Sequence, residues 1–76
     1  MISYYLSSSD DAERLVTLCR KYDNDIDVVY QRYTVDGKSI LGVMSLIGHT
    51  VGIMFFPEND PEISKVQEEF EKKLHS

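Results

Sequence analysis

The apolar residues of this chain change their spacing several times within a short span, and that change restricts the fold more than any other feature. Ile2, Tyr4 and Leu6 alternate onto one face, which is the period of a strand. From Ala12 through Leu15, Val16 and Cys19 the spacing lengthens to that of one helix face. Residues 25–30 alternate again, with Ile26, Val28 and Tyr30 set against Asp27 and Val29. Tyr33, Thr34 and Val35 are strand formers, and the Gln31-Arg32 connection suggests a hairpin without an Asn-Gly turn. Asp36-Gly37 marks a further turn. Residues 50–56 form an apolar run without clean alternation, which suits a central strand, and Pro57 ends it. Ile63, Val66, Phe70 and Leu74 give a last helix its buried stripe.

Capping residues mark where each helix begins. Ser8 or Ser9 caps the first, and Asp10, Asp11 and Glu13 place acids where the helix dipole favours them. That helix runs to about Tyr22 and is stopped by Asp23 and Asn24. Ser39 caps a short helix from Ile40 to about Leu46, with Gly48 as its stop. Asn59 or Asp60 caps the last helix, with Pro61 at its first position. The resulting order is β-α-β-β-α-β-α. A chain of 76 residues makes one domain, here residues 1–76. One sheet must then take all three helices, which is an open-faced α+β sandwich.

Charge and composition exclude several classes of function. A net charge of -5 argues against a nucleic-acid partner, because phosphate contacts need clustered Lys and Arg. It equally argues against an anionic membrane surface, and no stretch has the length of a membrane-spanning helix. A single cysteine allows no internal disulfide. Residues 1–6 lack the basic start and long apolar run of a signal peptide, so the expected location is cytoplasmic. His49, His75 and Cys19 do not have metal-ligand spacing, so neither a metal site nor a cofactor is expected.

Two segments carry a family resemblance. Lys21-Tyr22-Asp23-Asn24-Asp25-Ile26 resembles the K-Y-x-(S/A)-x-(I/V) segment of the HPr phosphocarriers of the sugar phosphotransferase system. Lys38-Ser39-Ile40-Leu41-Gly42-Val43-Met44-Ser45-Leu46 resembles that family's K-S-I-M-G-V-M-S-L with one conservative change. The gap between the two segments is also the family's gap. The resemblance implies an antiparallel sheet with three helices on one face. It also implies a phosphohistidine in an H-A-R-P segment at the start of the first helix. Counting back from Lys21, the histidine position falls at Ser8, the arginine position at Asp10 and the proline position at Asp11. Phosphotransfer needs an imidazole nucleophile and a site for the phosphate, and carboxylates there repel it. Histidine phosphocarrier activity, and any catalytic residue, is therefore not expected.

Two features are left to carry function. Ser39 is a helix cap by position, and the resemblance makes it a target of an HPr kinase/phosphorylase-like enzyme. The short helix is apolar around most of its girth. Ile40, Val43, Leu46 and Ile47 can share one face, yet the helix cannot bury every apolar side chain, and Ile40, Leu41 and Met44 are the expected partner-binding patch. The partners that the resemblance implies are proteins: the HPr kinase, a transcriptional regulator or transporter domains. His49 and His75 do not align with the active histidine, and Cys19 lies on the apolar helix face as a core residue. The leading expectation is a regulatory or interaction protein switched at Ser39. A phosphocarrier of altered chemistry, using Ser8 or another nucleophile, is one alternative. A structural interaction domain using neither phosphosite is the other.

Overall fold

Alternating strands give a sheet two unlike faces, and helices with one apolar stripe can cover only one of them. The computed structural model describes residues 1–75. These form β1 (Ile2–Tyr5), α1 (Ser9–Cys19), β2 (Asp25–Tyr30), β3 (Tyr33–Asp36), α2 (Ile40–Met44), β4 (Thr50–Phe56) and α3 (Ile63–Leu74). The sheet order is β1-β4-β2-β3, and every neighbouring pair is antiparallel. The apolar run over residues 50–56 is therefore a central strand, as its composition predicts.

Register decides which side chains share a face. Ile2 pairs with Ile53, Tyr4 with Val51, Ile26 with Phe55, and Val28 with both Ile53 and Val35. These residues point toward the helices and are buried, apart from the half-buried Val35 at the edge. Ala12, Leu15, Val16, Leu18 and Cys19 meet them from α1, and Ile63, Val66, Phe70 and Leu74 from α3. Phe70 is fully buried and meets Phe55 edge-to-face, with ring centroids 4.9 Å apart.

Three helix ends differ from the sequence-based expectation. α1 ends at Cys19, because Lys21 N and Tyr22 N bond back three residues to Leu18 and Cys19 rather than four. α2 ends at Met44, and the same tightened bonding continues through Leu46, Ile47 and His49. Gly48, with φ of 96°, turns the chain there, and its N–H reaches the Leu6 carbonyl at 2.7 Å. α3 starts at Ile63 rather than Pro61. Asp60 still acts as the starter: its carboxylate accepts from Glu62 N at 2.9 Å and its carbonyl from Ile63 N at 3.1 Å.

The segment between α1 and β2 works as a tie. Lys21 meets Glu69 of α3 at 2.9 Å, and the Tyr22 hydroxyl donates to the same carboxylate. The Asn24 side-chain amide donates to the Phe56 carbonyl and to Asp60, each at 3.2 Å.

Removing the Phe70 ring should be costly, since large-to-small changes at a packed aromatic cost about 3–5 kcal/mol. Phe70→Ala is expected to lower the urea midpoint by that equivalent. A domain of this size has only about 4–11 kcal/mol in total, so most of the margin is lost.

Candidate functional site

Both helix starts named in the sequence use a serine cap, but their surroundings differ. Ser8 is the N-cap of α1, with extended backbone, and its hydroxyl accepts from Asp11 N at 3.4 Å. Asp11 turns back over the same end. One carboxylate oxygen accepts from Ser7 N at 2.9 Å and from the Ser7 hydroxyl. The other accepts from the Tyr4 hydroxyl at 3.3 Å and lies 3.5 Å from the Arg14 guanidinium. These donors, the Ser7 hydroxyl first, hold the Asp11 carboxyl below the ordinary aspartate range. Burial is the main cause that pushes the Tyr4 hydroxyl up. Of the three acids expected to fill this helix start, Asp11 does so, while Asp10 and Glu13 are exposed. Ser8 adjoins a carboxylate network, and its own hydrogen bond is to Asp11 N.

Ser39 is the N-cap of α2, and its hydroxyl accepts from Gly42 N at 3.2 Å. Asp36 supports the turn before it, accepting from Lys38 N at 2.9 Å and from Ser39 N at 3.0 Å. Arg20, at the end of α1, reaches across to donate its Nε to the Lys38 carbonyl at 3.0 Å. Ser39 therefore has two cationic residues, Lys38 and Arg20, and one carboxylate, that of Asp36, in its neighbourhood. The sequence leaves Arg20 on the solvent side, and no local spacing signals a contact with a residue 18 positions away.

The short helix divides as its pattern predicts. Val43 and Leu46 are buried, and Ile40 and Ile47 are partly buried against the core. Leu41 is 79% exposed and Met44 39%. Gly42 sits on the inner side, where a Cβ would come within 3.1 Å of the Val35 Cβ, so the glycine lets α2 lie close on β3. Ile40 contributes only part of its surface to the patch that Leu41 and Met44 lead.

The imidazoles and the thiol lie elsewhere. His49 stacks on Tyr30, with centroids 4.2 Å apart, beside Tyr33, Ser45 and Leu46. His75 Nε2 lies 2.9 Å from the Ser3 carbonyl, and its ring meets Tyr4 edge-on. Tyr4 thus links His75 on one side to Asp11 on the other. Cys19 is fully buried, and burial pushes its thiol up to about 12. Among the described residues, no three His, Cys, Asp or Glu side chains are grouped for a metal ion. No helix there is long and apolar enough to cross a membrane.

Two outcomes follow from this geometry. Cys19 is expected to resist a disulfide reagent at pH 8 in the folded protein and to react in denaturant. Asp11→Asn should destabilise the protein by about 1 kcal/mol at pH 7, the difference between charged and neutral hydrogen bonds. The folded Asp11 is depressed, so its contribution is complete above the ordinary aspartate range and is lost as pH falls through the lower folded value. Denaturation of both proteins across pH 2–7 should show their midpoints converging in acid.

The comparisons with known proteins agree with this architecture. A phosphocarrier protein HPr from Bacillus anthracis str. Ames aligns with a TM-score of 0.68 and 21% identity, over 96% of this chain and 93% of its own. HPr-C-His from Thermoanaerobacter tengcongensis aligns with a TM-score of 0.68 and 23% identity, over 99% of this chain and 94% of its own. At these identities the two share the fold. No curated protein matches. The family model described as "PTS HPr component phosphorylation site" matches residues 10–54. That stretch opens two residues after Ser8 and contains Ser39 and all of α2. Since it spans more than half of the sequence, the chain belongs to the HPr family of the phosphotransferase system.

Proposed function

We propose that this HPr-family chain is a cytoplasmic regulatory and interaction protein, not an enzyme and not a histidine phosphocarrier. It docks protein partners through Leu41, Met44 and the exposed part of Ile40, and is switched by phosphorylation at Ser39. One observation carries the reading: Asp11, not an imidazole, occupies the start of α1, while α2 holds a 79% exposed leucine two residues from a serine cap. A carboxylate already holding the Ser7 donors repels a phosphoryl group and takes those donors from it. At Ser39 the added charge meets Lys38 and Arg20 instead. Its partners are an HPr kinase/phosphorylase-like enzyme and a transcriptional regulator or transporter domain.

A second reading is favoured by the position of His75. Its ring lies on Tyr4, whose hydroxyl reaches Asp11, so it is the imidazole joined to the α1 start. That reading makes the chain a carrier of altered chemistry.

Phosphoenolpyruvate, enzyme I and radiolabel decide between them. No label is expected on the protein. Label that disappears in His75→Ala would establish the second reading. An HPr kinase/phosphorylase with ATP is expected to add one phosphate by intact mass, lost in Ser39→Ala. Leu41→Ser should leave the melting temperature nearly unchanged, within about 0.5 kcal/mol of parent stability. It should weaken partner binding, and unchanged binding would remove the patch from the reading.

A further inference from the structure

The sheet has a second face that no helix covers. Register places Val29, Met54 and Phe56 on it together with Asp25, Asp27 and Asp36. Its apolar part runs along β4, with Val29 of β2 beside it. Met1 is 74% exposed and lies over Gly52, while Val29, Met54 and Phe56 are half-buried in the strands beside it. Tyr5, on the β1 side, is 56% exposed.

Negative charge is gathered on the other part of this face. Asp27 stands directly opposite Asp36, and Asp25 lies two residues before Asp27 on the same side of β2. Like charges paired across strands are destabilising. No strand carries a lysine or arginine that could offset them. None of the ion pairs among the described residues uses these three acids. They surround a shallow depression of about 440 Å³ whose wall is completed by Phe56 and Ile26.

We infer that this open face is a second docking surface, and that its occupant is a basic amphipathic helix of a partner protein. A helix is the element that covers a sheet face. An apolar row would lie over Val29, Met54 and Phe56, and a Lys/Arg row over Asp25, Asp27 and Asp36. A second copy of this chain does not fit, because its own open face offers no strand lysine or arginine to meet the acids. Anionic lipid and nucleic acid are excluded by the same charge. The surface lies on the side of the sheet away from α2, so the two docking faces can be occupied together, and this one does not depend on the reading of Ser39.

The test uses the full chain, isotope-labelled for NMR, and a synthetic Leu/Lys amphipathic helical peptide. Shifts are expected on the open-face residues of β2, β3 and β4, and none with the same peptide carrying Glu for Lys. The double variant Asp25→Asn, Asp27→Asn, which leaves the Asp36 carboxylate on Lys38 N, should bind at least about tenfold more weakly. Glu13→Gln, Glu71→Gln, which removes equal charge from the helical side, should stay within about twofold of parent. Equal weakening by both doubles, or shifts centred on α2, overturns the inference. Asp27→Asn alone should raise the melting temperature, since it relieves the pairing with Asp36. A lower one would mean that the acid serves the fold, and would overturn it as well.

Discussion

Burial on one side of a four-stranded sheet is the constraint from which the rest of this structure follows. Val51, Ile53 and Phe55 sit on a central strand and are flanked by Tyr4, Ile2, Ile26 and Val28 on its neighbours. The three helices all lie on one face of the sheet, so stability depends on how closely they approach that single row. The close approach is visible where Gly42 admits Val35, and where Phe70 meets Phe55. It is held at the far end by Lys21 and Tyr22, which tie the last turn of α1 to Glu69 of α3. The same arrangement leaves the opposite face of the sheet without cover. The acids and apolar side chains placed on that face are a choice of sequence.

The two serine-capped helix starts show how one backbone device acquires opposite electrostatics. At α1 the residues that follow the cap are acids, and Asp11 folds back to take the Ser7 N–H, the Ser7 hydroxyl and the Tyr4 hydroxyl. The carboxylate that stabilises the helix also occupies these donors, so an incoming anion meets charge of its own sign. At α2 the residues after the cap are Ile40, Leu41 and Gly42, which carry no charge. Positive charge arrives there from Lys38 and, across the α1–α2 contact, from Arg20. The family match spans the second site and begins beyond the residue that caps the first.

What could be read from the sequence is what depends on near neighbours. Alternation in β1 and β2 and the stripes of α1 and α3 are local, and each is found where it is expected. The excess of apolar residues on α2 also sufficed to foresee that Leu41 and Met44 would be left outside. Helix ends were less legible, because tightened three-residue bonding after Cys19 and Met44 continues the turn without continuing the helix. Contacts between distant segments carried no local signal at all. Arg20 at the Lys38 carbonyl, His49 on Tyr30, His75 on Tyr4 and Asp27 facing Asp36 all require the register of the finished sheet or the packing of the helices.

The segment Lys38 to Leu46 can be divided by what the fold asks of each residue. Ser39 caps the helix, and Gly42 is needed so that α2 can lie on Val35. Val43 and Leu46 fill the core, and the Ser45 hydroxyl donates back to the Gly42 carbonyl. Folding makes no comparable demand at Leu41, where most of the side chain is in water and gains little from the hydrophobic effect. A polar residue there would serve the helix equally and the solubility better. Met44, flexible and polarisable, adjoins it on the same helix and suits a surface that must adapt to another protein. Burial within this chain does not explain the apolar character of these two positions, and that is the ground on which the proposed docking role rests.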